Sequence, residues 1–234
     1  MEKKEQIINW LKSYNIKNYI INEDLMINVN GDVDISNKGI EEFPDYIKFN
    51  VVTGDFYCYR NNLTILEGAP QEVGGDFFCS YNKLTTLKGA PQKVEGNFYC
   101  NDNNLTSLED GPQEVGGEFF CHFNNLTSLE GAPKKVGGSF YCNGNNLTSL
   151  KGAPQEVGGG FYCALNNLTS LESGLKEVGG DFDCSCNKLT SLEGAPQKVG
   201  GNFFCSDNKL NSLEGAPQEV GGDLICYSNK LTGK

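Results

Sequence analysis

The sequence is poor in histidine, tryptophan and methionine. It contains one histidine, one tryptophan and two methionines in 234 residues. A single histidine leaves little basis for a His-rich metal site or for His-dependent catalysis. Basic residues are also scarce, with 19 Lys and Arg against 30 Asp and Glu and a net charge of −11. This charge disfavours nucleic acids and anionic membranes as partners.

Long apolar runs are missing as well. No stretch approaches the ~20 residues that span a bilayer. The N-terminus, MEKKEQIINWLKSYN, has neither a long apolar region nor a small-residue cleavage site, so we expect no signal peptide. These absences predict a cytoplasmic protein without a membrane partner. In a reducing cytosol, the 10 cysteines are expected to be thiols.

An internal repeat explains the high content of cysteine and glycine in the sequence. Cysteines recur every 21 residues over Cys58–Cys226, and asparagines keep the same step over Asn61–Asn229. Eight complete units, reading roughly GDFYCSxNNLTSLEGAPQEVG, cover residues 54–221, and a ninth stops after its leucine. A fixed period of this length is typical of solenoids, in which each unit buries its apolar side against its neighbours.

One unit can be read physically. Phe77 and Cys79 are two residues apart and therefore share one face of a short strand, while Phe78 points to the other face. The Gly-Ala-Pro segment that follows the two leucines excludes a regular helix. We therefore expect one strand and one extended return in each unit, with the strands of successive units pairing in parallel.

The pattern F-x-C-x-x-N-x-L-x-x-L resembles the leucine-rich repeat, with Phe and Cys at two of the leucine positions. The whole 21-residue unit is most similar to leucine-rich repeat proteins of large phages and giant viruses. The resemblance implies a mainly β fold: a leucine-rich repeat solenoid with a single parallel sheet of about 9–10 rungs.

The N-terminal segment departs from the repeat. An apolar face predicts a helix from about Lys3 to Tyr14, and LMINVNGDVDIS predicts a hairpin around an Asn30-Gly31 turn. Residues 32–53 read as a degenerate first rung. We therefore divide the chain into a cap of helix, hairpin and degenerate rung, residues 1–53, and a solenoid, residues 54–234.

The polar and cysteine columns have structural interpretations. The cysteine column lies on the apolar face and predicts buried thiols, because no C-x-x-C spacing of a zinc site occurs; metal or disulfide chemistry is the alternative. The asparagine column is expected to satisfy backbone groups where each strand bends. Cys186 occupies a variable, outward position and is either a reactive thiol or a tolerated small residue. His122 is expected to be a surface imidazole.

The outward face of the strands is the informative surface. Aromatic residues dominate it, and the most variable positions of the repeat lie beside them. Two interpretations compete: the rings stack on one another, or they bind a partner. The binding interpretation predicts a partner surface made of Tyr57, Phe78, Tyr99, Phe120, Tyr141, Tyr162 and Phe204 with an acidic rim of Asp76, Asp102, Glu118 and Asp207.

These observations predict a protein-binding module rather than an enzyme. No catalytic constellation, cofactor site or metal site is recognisable, and the partner is expected to have a basic or mixed surface. The phage resemblance implies inhibition of a host defence factor in the host cytoplasm. The alternative is a self-assembling structural or virion-associated protein. An uncapped last rung with Leu224, Ile225 and Leu231 predicts a tail-to-tail homodimer.

Overall fold

A computed structural model describes residues 3–172 and 175–231 and begins with a short helix, α1 (Lys3–Ser13). Ile7 and Leu11 on this helix are fully buried. The left-handed residue Asn15, with a φ of 56°, follows the end of the helix, and the amide of Ile16 donates to the carbonyl of Leu11 at 2.9 Å. The predicted helix is confirmed to within one residue at its C-terminal end.

Each repeat contributes one strand to each of two parallel sheets. In the described chain the first sheet, called the aromatic sheet, has ten strands. Its strands are β3 (Val33–Asp34), β5 (Phe56–Tyr57), β7 (Phe77–Phe78), β9 (Phe98–Tyr99), β11 (Phe119–Phe120), β13 (Phe140–Tyr141), β15 (Phe161–Tyr162), β17 (Phe182–Asp183), β19 (Phe203–Phe204) and β21 (Leu224–Ile225). The predicted solenoid of leucine-rich repeat type, with about nine to ten rungs, is confirmed.

The second sheet, called the return sheet, is built from the segments that lead from one rung to the next. Its strands are β2 (Ile27–Val29), β4 (Phe49–Val52), β6 (Glu72–Val73), β8 (Lys93–Val94), β10 (Glu114–Val115), β12 (Lys135–Val136), β14 (Glu156–Val157), β16 (Glu177–Val178), β18 (Lys198–Val199) and β20 (Glu219–Val220). The prediction of a single parallel sheet is therefore wrong. The aromatic strand is marked in the sequence by two buried residues two apart, such as Phe77 and Cys79, whereas a return strand has one buried valine and shows no alternation.

The predicted hairpin lies elsewhere in the chain. The antiparallel pair is formed by β1 (Tyr19–Ile21) and β2. Asn30 and Gly31 instead form a corner between β2 and β3, which belong to different sheets. The amide of Gly54 donates to the carbonyl of Gly31 at 3.1 Å, and the amide of Gly75 donates in the same way to Gly54 at 3.0 Å. The first rung thus starts at β2, inside the segment predicted as a hairpin.

The return sheet is interrupted between β14 and β16. The outward residue of the return strands alternates in charge from rung to rung, and ion pairs join Lys135 to Glu156 at 3.1 Å and Lys198 to Glu219 at 3.4 Å. The alternation fails at the interruption, where Glu156 is followed by Glu177. Like charges on neighbouring strands destabilise pairing, which accounts for the position of the break in part.

The space between the sheets is filled by columns of identical apolar residues. The inward rings of Phe56–Phe203 are stacked with centroids 5.2–5.6 Å apart and are fully buried. The cysteine column is buried as free thiols over Cys58–Cys205, which confirms the predicted thiol ladder. Cys226 is an exception and is half-buried, because no described strand covers the far side of β21.

The asparagine column joins the rungs through its side-chain amides, as predicted. The Nδ2 of Asn124 donates to the carbonyls of Cys100 and Cys121 at 3.0 and 3.1 Å. Its Oδ1 accepts from the amide of Leu105 at 2.9 Å. One buried side chain therefore satisfies three backbone groups on two rungs, and the same contacts recur along the column.

Replacing Asn124 with alanine is expected to lower the free energy of unfolding by about 3 kcal/mol or more, because three buried backbone groups lose their partner. Chemical denaturation followed by circular dichroism measures the change. Asn125→Ala is the matched control, since Asn125 is exposed and adjacent. Equal effects of the two substitutions would contradict the role given to the column.

Candidate interaction surface

Six outward aromatic side chains form a continuous stack along the aromatic sheet. They are called the outer ring row: Tyr57, Phe78, Tyr99, Phe120, Tyr141 and Tyr162. Their ring centroids are 4.5–4.8 Å apart and their planes are within 11° of parallel. The rings are half-buried because each covers the face of its neighbour. The ring edges and hydroxyl groups are therefore what this row presents to a partner.

The row ends where an acidic residue replaces a ring. Asp183 pairs in register with Tyr162 on one side and Phe204 on the other. Its Oδ1 accepts from the amide of Ser185 at 2.9 Å. Phe204, which the sequence placed with the other partner-binding rings, is thus separated from the stack by one rung.

One edge of the outer ring row is lined by acidic and amide side chains that hold the rungs together. The Oδ1 of Asp76 accepts from the amide of Asn97 at 2.7 Å, and Asp55 accepts in the same way from Asp76. The hydroxyl of Tyr57 donates to Oδ2 of Asp55 at 2.7 Å, which raises the pKa of Tyr57 well above its ordinary value. Asp76 of the predicted rim therefore has a structural role, whatever it contributes to binding.

Glu118 lies on the same edge, and its Oε1 accepts from the hydroxyl of Tyr141 at 3.3 Å. Asp102 and Asp207, by contrast, follow the aromatic strands in the chain and lie on the other edge. The four acidic residues predicted as one rim are thus divided between two edges of the outer ring row.

The second edge is a column of left-handed residues. It is called the left-handed row and consists of Arg60, Tyr81, Asp102, Phe123, Gly144, Leu165, Cys186, Asp207 and Ser228. Their φ angles are between 51° and 65°. This conformation ends each aromatic strand and turns the next residue, the asparagine of the buried column, toward the interior. The side chain of the left-handed residue then points away from the core.

Three members of the left-handed row are large, apolar and about half exposed. Tyr81 is 51% exposed, Phe123 50% and Leu165 55%. The guanidinium of Arg60 lies 5.5 Å from the ring centroid of Tyr81. A Cβ atom built on Gly144 would lie 2.5 Å from Cδ1 of Phe123, so the ring of Phe123 leans across the next rung.

His122 connects the two rows. Its ring contacts Phe120 of the outer ring row with centroids 5.9 Å apart and Phe123 of the left-handed row at 5.3 Å. The imidazole is half-buried rather than a plain surface group, its buried Nδ1 has no hydrogen-bond partner, and burial lowers its pKa. The two rows therefore form one continuous surface.

Sequence reasoning missed Tyr81, Phe123 and Leu165. The left-handed row contains Asp102, Gly144 and Asp207, which are residue types that tolerate a left-handed backbone. That signal could have identified the conformation, and with it the outward direction of the three apolar side chains.

No family model and no curated protein matches this chain. Among solved structures it is similar to YopM from Yersinia enterocolitica WA-314, with 16% sequence identity and a TM-score of 0.34. The similarity covers 87% of this chain and 66% of that one, so the chain spans just under two thirds of the length of YopM. The parallel pairing of strands from successive rungs defines the fold independently of this similarity.

In the part of the chain that the structure describes, no group of three or more His, Cys, Asp or Glu side chains is arranged to hold a metal ion. Nor is any helix of residues 3–172 and 175–231 long and apolar enough to cross a membrane. A groove of about 1110 Å³ opens on the return sheet near Glu156 and Glu177, and none of its lining residues is aromatic.

Leu165→Asn is expected to raise the free energy of unfolding by about 1 kcal/mol, because asparagine tolerates the left-handed backbone and the leucine is half exposed. Leu165→Val should lower it, since a β-branched residue is strongly disfavoured at this φ. Thermal or urea denaturation gives both values. Ala164→Asn, at a neighbouring position without positive φ, is the control and should bring no gain. Stabilisation by valine would contradict the strain argument.

Cys186 is expected to be the thiol that reacts first in the native protein, because it is exposed while the column is buried. Partial burial and the nearby carboxylates of Asp207 and Asp183 raise its pKa. Its thiolate is therefore depleted at neutral pH, and labelling should be slower than for an unstructured thiol and accelerate with pH. Asp207→Asn should speed labelling roughly twofold, the effect of one screened charge. Rapid native labelling of several column thiols would contradict the assignment.

Proposed function

We propose that the chain is a non-enzymatic protein-binding module whose partner contacts the outer ring row and the left-handed row. The observation that supports this most directly is the exposure of Tyr81, Phe123 and Leu165 beside the half-buried rings. Monomeric proteins seldom place three large apolar side chains in one exposed line unless the line is an interaction site. Aromatic residues are also enriched at protein interfaces.

The arrangement of variable and constant positions supports the same surface. The interior columns and the return segments are almost identical in every rung, whereas the residues after each column cysteine differ from rung to rung. Rung stacking requires the constant positions and does not constrain the variable ones. A surface that varies on a constant scaffold is suited to the recognition of one particular partner.

The resemblance of the repeat to proteins of large phages and giant viruses supports a more specific proposal. In this proposal the chain is phage-encoded, acts in the host cytoplasm and inhibits a host defence factor with a basic or mixed surface. The net charge of −11 and the carboxylates on both edges of the outer ring row favour such a partner and disfavour nucleic acid.

The second candidate is self-assembly, either as a tail-to-tail homodimer or within a virion. It is favoured by the last described strand, where Leu224 and Ile225 are half-buried and Leu231 is 39% exposed. A copy of the same rung would cover these side chains, and a two-fold contact of this kind closes on itself.

Binding at the proposed surface is tested by photo-crosslinking. A photoreactive amino acid at Tyr99 is expected to capture a partner from a bacterial lysate, whereas one at Glu114 on the return sheet is not. With the captured partner in hand, Tyr99→Ala and Phe120→Ala should each weaken binding by about 2 kcal/mol, roughly thirtyfold. Tyr99→Phe keeps the stack and is the control for loss of packing.

The proposal fails if both alanine variants fold and bind the partner unchanged while substitutions on the return sheet abolish binding. Light scattering of the intact chain at tens of micromolar separates the two candidates. A dimer that dissociates when Leu224→Lys and Leu231→Lys are combined would favour self-assembly. A monomeric intact chain would contradict self-assembly.

A further inference from the structure

The exposed apolar side chains of the left-handed row are spaced two rungs apart. Tyr81 and Phe123 are separated by 42 residues, as are Phe123 and Leu165. The rung spacing at this surface is given by the outer rings, which are 4.5 Å apart between Phe78 and Tyr99 and again between Tyr99 and Phe120. The positions that carry these side chains therefore recur about every 9 Å along the solenoid, close to twice the inter-strand spacing of a sheet.

This spacing selects one backbone conformation of a bound peptide. In a polyproline II helix every third residue faces the same way, and three residues advance about 9.3 Å. In an α-helix the matching positions are seven residues and about 10.5 Å apart. In an extended strand, residues on one face recur at multiples of about 6.7 Å. Over three contact points, the repeat of the polyproline II conformation matches the two-rung spacing. The repeats of the α-helix and the extended strand do not match it.

The relief of the row fits the same ligand. Between the large side chains lie Asp102, which is half-buried, and Gly144, across which the ring of Phe123 leans. Asp102 therefore leaves a gap between Tyr81 and Phe123, whereas the ring of Phe123 covers the position of Gly144. His122 joins the left-handed row to the outer ring row, so this surface is bounded on one side by aromatic edges. Aromatic surfaces of this kind are the usual docking sites of polyproline II segments.

Charge along the row indicates what should follow the third apolar residue of the ligand. Asp207 is exposed and lies two rungs beyond Leu165, the same step that separates the apolar side chains. A ligand residue three positions after the third contact point would therefore face a carboxylate. At the other end Arg60 lies against the ring of Tyr81. A basic residue is complementary to the Asp207 end and not to the Arg60 end.

We propose that the left-handed row binds a polyproline II segment of a protein partner, with an apolar residue at every third position and a basic residue after the third. The segment runs along the solenoid axis across Tyr81, Phe123 and Leu165, with its basic residue near Asp207. This inference rests on the proposed function and deepens it by naming the class of partner segment.

The test uses the full chain and synthetic peptides. The probe is the acetylated, amidated peptide LPPLPPLPPR carrying a fluorophore, and its binding is followed by fluorescence anisotropy. The register control, LPLPPPPLPR, has the same composition and remains proline-rich, but its leucines are not three residues apart. We expect saturable binding of the probe and roughly tenfold weaker binding of the register control, because the control reaches one contact point at a time.

The variants are chosen so that loss of binding is not loss of folding. Tyr81→Asn, Phe123→Asn and Leu165→Asn together remove the contact points and leave a residue that a left-handed backbone tolerates. This triple variant is expected to be at least as stable to heat as the unaltered chain, because each asparagine relieves a left-handed backbone, and to lose probe binding. Ser228→Asn, in the same row but beyond Asp207, is the matched control and should bind normally. Asp207→Asn should lower the affinity of the chain for the probe and reduce the dependence of that affinity on salt.

Several results would overturn the proposal: no saturable binding of the probe, equal binding of the two peptides, or unchanged binding to the triple variant. Tighter binding of an alanine-rich helical peptide with leucines seven residues apart would overturn it as well. If the probe fails while the partner crosslinked at Tyr99 still depends on Phe120, the polyproline assignment is wrong and the protein-binding function stands.

Discussion

The structure depends on the vertical alignment of identical backbone groups from one rung to the next. Strands of two residues have little stability of their own, and the column asparagines compensate by tying each rung to its neighbour. The amide of Asn103, for example, spans the carbonyls of Cys79 and Cys100, each at 3.1 Å. The residues that make these contacts must therefore recur at 21-residue intervals, which is why the sequence is repetitive.

This constraint explains which parts of the fold were predictable. The columns that contain Phe77, Cys79 and Asn82 are recognisable in the sequence from their 21-residue period. Their burial and their hydrogen bonds could be predicted from that period. The return sheet was not predictable, because a pair such as Lys93-Val94 has one buried residue and therefore shows no alternation. The Asn30-Gly31 corner was mistaken for a hairpin turn, since the same dipeptide serves both purposes and only tertiary pairing decides between them.

The interaction surface was predictable in its location and not in its detail. Stacking and partner binding are competing explanations of the outward rings. The observed geometry shows that the rings stack, and it is also compatible with binding. Faces of rings such as Tyr99 are covered by their neighbours in the stack, so what a partner meets is a row of edges. The larger exposed apolar area stands in the next column, at Phe123 and its equivalents, where the backbone conformation could not be inferred from Tyr or Leu.

The side chains of the left-handed row are coupled to the stack less tightly than those of the buried columns. A change at Cys121 or Asn124 is transmitted to the rungs above and below, because both residues pack or bond across rungs. A change at Phe123 alters the local backbone energy by about 1 kcal/mol, and the side-chain contacts that it affects, with His122 and Gly144, lie on the surface. Diversity therefore accumulates where it does not disturb the scaffold. The conformation that excludes the side chain from the core is the same one that presents it to a partner. This gives a physical reason why a repeat protein can hold its interior constant while its recognition surface changes from rung to rung.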